Sequence, residues 1–509
     1  MIVKIISSSI LGVDSFSVDV EVDISAGLPQ FSTVGLPDTA VRESRDRIKS
    51  AIKNSGYRFP KHRVTVNLAP ADIRKEGTGF DLPIAAGILT AEEIIEASKL
   101  DDYMIIGELS LDGSIKPVSG TLSAAFTAKE RGLKGIIVPA ENATEAAMVE
   151  AIDVIPVAYL YQMVEFLNDT RNICPITING NDFFTMNLRY HFDFAEVSGQ
   201  EQAKRALEVA AAGGHNILMV GPPGSGKTML ARRLVTILPD LSFNEAIEST
   251  KIFSVAGLLE KQEAIRATRP FRAPHHTISD AGLVGGGHTP RPGEISLAHN
   301  GVLFLDELPE FKRNALEALR QPLEDGTVTI SRAQMTVTYP ARFMLVAAMN
   351  PCPCGYLTDP TRSCRCTPQQ IRTYRAKISG PLLDRIDIHI EVPSVKYREL
   401  SAQTTGEPSA SIRERITRSR GIQRDRFEPA PVTCNAQMTN RHIRQFCPID
   451  DDSHRLMEMA IDRLGLSARA YTKILKIART IADLDDEAQI SPHHMSEAIQ
   501  YRTLDRNIL

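Results

Sequence analysis

The chain has 509 residues, 43% hydrophobic and 24% charged, with a formal net charge of −4. At about 150 residues per domain that length suggests about three domains, each able to build a core without disulfides. The balance excludes a globally basic nucleic-acid binder, so any such contact must come from a local patch or channel. No run of eighteen apolar residues occurs, which argues against a membrane span. The N-terminal MIVKIISSSILGVDSF has no long apolar h-region and is read as structure. An odd cysteine count of seven without an export signal points to the cytoplasm.

In chain order, VDVEVDI (18–24) alternates Val18, Val20, Val22 and Ile24 with three acids, the pattern of a half-buried strand. VTVNL (64–68) and GIIVP (135–139) read as strands, and TAVRESRDRIKSAIKNSG (39–56) as an amphipathic helix with a glycine stop. Residues 1–168 thus predict an α+β domain, and the weakly periodic 169–190 a linker. From 191 to 400 strands alternate with helices, which predicts an α/β domain on a parallel sheet. A connecting segment follows at 401–430, beginning with the loose SAQTTGEPSAS. Residues 431–509 are expected to be helical: Ile474, Leu475, Ile477, Ile481 and Leu484 form one stripe, and Ser491 and Pro492 open the last helix.

NILMVGPPGSGKTML (216–230) runs from an apolar strand into G-x-x-x-x-G-K-T. Gly221, Gly224, Ser225 and Gly226 let backbone N–H groups wrap a β-phosphate. Lys227 offers a cation to the β/γ oxygens of ATP, and Thr228 a hydroxyl to Mg2+. In GVLFLDELPEF (301–311) Asp306 and Glu307 emerge from a strand's carboxyl end. There Asp306 holds Mg2+ and Glu307 polarises the attacking water. RFMLVAAMN (342–350) ends in Asn350, a polar group able to orient the same water. This order of parts resembles the AAA+ ATPases, which usually work as rings. The resemblance implies an AAA+ P-loop core and a C-terminal helical lid. It also implies Arg385 as a finger reaching a neighbour's nucleotide, and Arg469 as a lid contact to the γ-phosphate.

RPFRAPHHTISDAGLVGGGHTPRPGEISLAHNGVLFLDELPEF (269–311) is more specific. It resembles the magnesium-chelatase-related branch of AAA+, in particular the YifB/ComM family, and the likeness extends over the whole chain. LEDGTVTISRAQMTVTYPARFMLVAAMNP (323–351) is also similar to the MCM helicases, where a hairpin projects into the ring's pore. That likeness implies a DNA-backbone contact at or near Arg332. The glycine-rich 285–292 would be a second loop near the pore. His275 and His276 are expected on opposite faces of a strand, with a structural or interfacial role.

The N-terminal domain resembles the Lon-protease proteolytic domain. Gly79 and Leu122 stand where that family's serine and lysine would be, so the resemblance implies no peptidase dyad; Thr78 is the nearest hydroxyl. Arg413, Arg420 and Arg424 share a helical face, read as solvated, with DNA or a neighbouring subunit as the alternative. Cys352, Cys354, Cys364 and Cys366 are spaced as C-x-C, nine residues, C-x-C. Four thiolates can close a tetrahedral structural Zn2+ site. Buried reduced thiols, or redox-active or disulfide-paired cysteines, are the other readings.

Together these imply a homo-hexameric, ATP-driven DNA motor. It would act on single-stranded or branched DNA as a helicase or branch-migration translocase, for recombination of incoming DNA in natural transformation. The alternative is a magnesium-chelatase-like or protein-remodelling ATPase that does not act on DNA.

Overall fold

The computed structural model describes residues 2–75, 77–178, 190, 192–259, 263–287, 290–332, 335–357, 359, 362–394, 406–430 and 432–504. Parts of several expected features lie outside these residues: half of the linker (179–189), His288 and Thr289 of the glycine-rich loop, Ala333 and Gln334 of the hairpin, 358 and 360–361 of the cysteine loop, and 395–405 at the end of the core and the start of the connecting segment.

The chain divides into two compact units, one of residues 1–188 with 243–267, the other of 189–242 with 268–509. The first unit carries a mixed four-stranded sheet in which Ile2–Leu11, Asp14–Ser25 and Arg63–Ala69 run antiparallel in turn and Gln30–Val34 pairs parallel on the last. Alternation decides its inner face: Val18, Val20 and Val22 are fully buried. The helix Asp81–Ala91 is buried from Asp81 to Thr90, as its all-round apolar sequence requires. A three-stranded parallel sheet of Tyr103–Ile105, Gly135–Pro139 and Asp153–Val157 completes this unit.

The helix Phe243–Ala256 falls within the span expected of the ATPase core, but it packs on the first unit. Ser254 donates from its hydroxyl to buried Glu145, and Lys251 Nζ lies 2.9 Å from Asp14 Oδ1. Burial raises the Glu145 carboxyl above its ordinary range, against the hydrogen bonds from Ser254, the Leu122 N–H and Asn142.

The second unit is built on a five-stranded parallel sheet. Its edge-to-edge order is Phe271–Arg272, Val302–Leu305, Met344–Met349, Ile217–Val220, Ile388–Glu391. The three central strands are wholly buried, which explains why their sequences are continuous apolar runs without alternation. This is the parallel P-loop core implied by the resemblance to AAA+ ATPases. The helices Asn440–Phe446, Asp451–Leu464, Ala468–Leu484 and Pro492–Gln500 follow it. The apolar stripe of Ala468–Leu484 joins the same core as the sheet. The basic helix Ser409–Phe427 is not a bare solvated face: Arg413 pairs with Asp240 at 3.3 Å and Arg420 donates to Ala211 O at 3.0 Å.

The hairpin of Thr327–Arg332 and Met335–Pro340 forms as the sequence suggests, with Arg332 opposite Met335. Gly285–Gly286 pairs with Arg291–Pro292 in a second, shorter hairpin. The two lie together, since a Cβ on Gly285 would meet Ile330 Cδ1 at 2.7 Å and one on Gly286 would meet Arg332 Nη2 at 3.1 Å. Tyr339 clamps them by donating its hydroxyl to Pro290 O at 2.7 Å.

Candidate nucleotide site

All the sheet strands are parallel, so Gly221, Asp306 and Asn350 leave it at the same edge. Gly221 N–H donates to Met349 O at 3.2 Å, tying the start of the P-loop to the strand that ends in Asn350. A Cβ on Gly221 would lie 2.1 Å from Val392 O, so the backbone can pass here only without a side chain. Gly224 and Gly226 take left-handed φ values of 77° and 88°, and Gly226 caps the helix Lys227–Ile237. That helix aims its N-terminal N–H groups and dipole into the loop, as phosphate binding requires.

Lys227 Nζ donates to Gly221 O at 2.7 Å, Pro222 O at 2.9 Å and Asn350 Oδ1 at 3.3 Å. Burial pushes the lysine's pKa below its ordinary value, opposed by Asp306 and Glu307. Asn350 therefore stands beside the P-loop cation. Thr228 donates its hydroxyl to Asp306 Oδ2 at 2.7 Å. A hydroxyl and a carboxylate are hard oxygen ligands of the kind Mg2+ takes alongside water and phosphate, so the residues fit this ion. When bound, the ion would neutralise charge on the phosphate oxygens.

Glu307 sits at φ 53°, ψ 45°, a left-handed conformation that is costly for a non-glycine residue and typical of functional sites. Its N–H donates to Asp306 Oδ1 at 2.9 Å, which leaves the carboxylate half-exposed at the sheet edge. Glu307 Oε2 lies 3.2 Å from His276 Nδ1. The expectation of two histidines on opposite strand faces fails: His275 and His276 lie in a turn, with ring centroids 4.1 Å apart. His276 is thus a site residue that alternation reasoning misdirects. Gln200 is another; it caps the helix Glu201–Gly213 at φ 57° and donates Nε2 to Ser225 O at 2.7 Å. Its signal was a glycine and a polar residue just before a helix, in SGQEQAK.

Arg385 and Arg469 make their hydrogen bonds away from this cluster. Arg385 pairs with Glu324 and is 12% exposed. Arg469 is 64% exposed, its Nη1 3.2 Å from Asp384 Oδ2. Asp384 adjoins Arg385 in sequence, so the two arginines occupy one neighbourhood. In the first unit, Leu122 is fully buried, and Thr78 donates its hydroxyl to the carboxylate of Glu108.

Family models cover most of the chain. The one described as magnesium chelatase, subunit ChlI, matches residues 193–400. Subunit ChlI of Mg-chelatase matches 20–142, and the ChlI C-terminal model matches 406–502. The chain is 46% identical over 500 residues to the uncharacterized protein YifB of Escherichia coli (strain K12), covering 98% of this chain and 96% of that one. It is 45% identical over 504 residues to the competence protein ComM of Haemophilus influenzae, covering 98% and 97%. It is also 25% identical over 237 residues to the magnesium-chelatase subunit ChlI of Chlorella vulgaris, covering 42% and 60%.

Proposed function

The chain belongs to the YifB/ComM family of magnesium-chelatase-related AAA+ ATPases, and on that premise we propose that it is an ATP-driven ring motor that moves DNA strands. The observation that carries the reading is the convergence of Lys227, Thr228, Asp306 and Asn350 at one sheet edge, with Glu307 held in a strained turn beside them. Lys227 and the P-loop amides bind and orient the phosphates, Thr228 and Asp306 hold Mg2+, and Asn350 and Glu307 position and polarise the attacking water. Arg385 completes the site of the next subunit of a homo-hexamer, and Arg469 touches nucleotide from the lid. That role asks Arg385 to exchange Glu324 for phosphate oxygens.

The paired hairpins support a DNA contact at Arg332, and the name of the competence protein among the relatives supports work on incoming DNA in natural transformation. The first unit is a Lon-like domain kept as a scaffold. Gly79 and Leu122 supply neither nucleophile nor amine, and Thr78 donates its hydroxyl to the Glu108 carboxylate, where a dyad would need an amine. The domain limits are 1–168, 169–190, 191–400, 401–430 and 431–509, with the helix Phe243–Ala256 lent by the core to the scaffold. Among the described residues no helix is long and apolar enough to cross a membrane.

The deciding experiment is ATP-dependent migration of a branched DNA junction by wild type against Glu307→Gln, with ATPase measured with and without DNA. Migration by wild type alone, with ATPase stimulated by DNA, is expected. No migration and no stimulation would return the chain to the second reading, a chelatase-like or protein-remodelling ATPase, which the ChlI family descriptions favour.

A further inference from the structure

Cys352, Cys354, Cys364 and Cys366 bring their sulfurs within 4.8 Å of one another. Cys352 Sγ lies 3.4 Å from Cys354 Sγ and 3.7 Å from Cys364 Sγ, and the last two are 3.6 Å apart. All four are free of disulfides, which would place two sulfurs about 2.05 Å apart. Four thiolates around one zinc ion, each at about 2.3 Å, stand about 3.8 Å from one another at tetrahedral angles. A cluster of thiols that merely filled core space would be buried throughout, yet only Cys352 is buried and the other three are partly exposed.

Backbone N–H groups also converge on the sulfurs. Cys366 N–H lies 3.4 Å from Cys364 Sγ, those of Tyr356 and Arg365 address Cys354, and those of Gly355 and Leu357 address Cys352. Amides aimed at sulfur are the outer shell a thiolate ligand needs. The CPCG turn sets up the first pair, with Gly355 N–H on Cys352 O at 3.0 Å and Gly355 at φ 84°.

The loop ends where the nucleotide site begins. Cys352 follows Asn350 by two residues. Thr367, just after Cys366, caps the helix Pro368–Arg375. That helix returns to the loop's start: Arg375 donates to Pro351 O at 3.2 Å, and Tyr374 accepts from the Asn350 N–H. Gly355 is pressed against the P-loop, since a Cβ there would fall 2.5 Å from Pro223 Cδ and 2.8 Å from its Cγ.

We propose that the four cysteines bind one zinc ion, and that the zinc-closed loop is a brace holding Pro223 of the P-loop and Asn350 in register for nucleotide. The brace rests on the ATPase reading above; the metal site does not. The ion would take no part in hydrolysis, because all its positions are filled by sulfur.

The test is elemental analysis of the purified full chain together with the affinity for a fluorescent ADP analogue. Wild type is expected to hold about one zinc per chain, as a four-thiolate site requires. Cys364→Ser with Cys366→Ser should lose the metal. Gly355→Ala should keep it. Both should bind nucleotide about tenfold more weakly, the scale on which a displaced positioning group acts. Should the double serine variant not fold, wild type stripped with 1,10-phenanthroline and returned to Mg2+ supplies the zinc-free state. Wild type without zinc after growth in zinc-supplemented medium overturns the metal site. Zinc-loaded wild type with unchanged affinity after stripping, or Gly355→Ala with unchanged affinity, overturns the brace. Zinc-loaded wild type that binds no nucleotide overturns the ATPase reading and the brace with it, while its zinc still supports the site.

Discussion

Asp387, two residues after Arg385, lies between an ammonium and an imidazole. Its Oδ1 is 2.8 Å from Lys473 Nζ on the helix Ala468–Leu484, and its Oδ2 is 3.2 Å from His215 Nδ1. Coulombic attraction is the larger part of the ammonium's contact and hydrogen bonding the smaller. Burial works against the Asp387 charge, yet Lys473 and His215 together hold its pKa well below the usual carboxylate range. Burial lowers Lys473 in turn, and Asp387 resists it. Lys473→Met keeps the aliphatic stem and removes the charge. Deleting one partner of a buried pair costs about 3–5 kcal/mol unless another group takes over. His215 is placed to do so. In the wild type, burial, assisted by Lys476 and Arg420, keeps its pKa below the ordinary histidine value, against the pull of Asp387. Its contribution is then present above about pH 6.5 and lost as pH falls below it. With Lys473 gone, Asp387 should raise the His215 pKa. Less of that contribution is then lost as pH falls. The penalty of Lys473→Met should therefore be about 3–5 kcal/mol at pH 8. At pH 6 it should be smaller by up to roughly 1.4 kcal/mol for each unit of that rise. Urea unfolding of both proteins at the two pH values reads this directly. A penalty below about 1 kcal/mol at pH 8, the scale of an exposed pair, or one equal at both pH values, would refute the reasoning.

Glu307→Gln should lower ATP hydrolysis by about a hundred- to ten-thousand-fold while nucleotide binding is kept, since general-base work is lost and Lys227 and Thr228 are untouched; single-turnover hydrolysis beside equilibrium binding checks it. His276→Ala should lower kcat about tenfold with little change in KM, and His276→Gln should restore part of it. The half-exposed pair is worth under about 1 kcal/mol to stability, so an unfolding midpoint that falls while kcat holds would show a structural histidine instead. Arg332→Ala should leave DNA-free ATPase intact and reduce the slope of log affinity against log salt by about 0.7–0.9, the share of one phosphate contact; an unchanged slope would remove Arg332 from the DNA path.

Much of the cluster around the P-loop is legible in the sequence. The P-loop, Asp306 and Glu307 are contiguous words, because a phosphate cradle and a strand-end acid pair are each made by neighbouring residues. Periodicity did the same for the strand 14–25 and for the helix 468–484. Reading failed where partners come from distant segments. His276 looked like half of a strand pair, and only the turn around it delivers its ring to Glu307. Arg413 and Arg420 looked like a solvated stripe, but one is taken by Asp240 and the other by a carbonyl of another helix. The helix Phe243–Ala256 carries no local mark that it leaves the ATPase core, because its place is decided by the meeting of Ser254 with Glu145, 109 residues away.

The sequence by itself determined which groups the chain offers: a glycine-rich loop ending in Lys-Thr, an acid pair at a strand end, a polar strand end and four closely spaced thiols. Tertiary structure alone decided which of these touch. It set Asn350 on Lys227, and the cysteine loop on Pro223. Spacing along a chain encodes what a turn or one strand end can do, whereas the parallel sheet, which gathers strand ends far apart in sequence at one edge, exists only once the whole core has been buried.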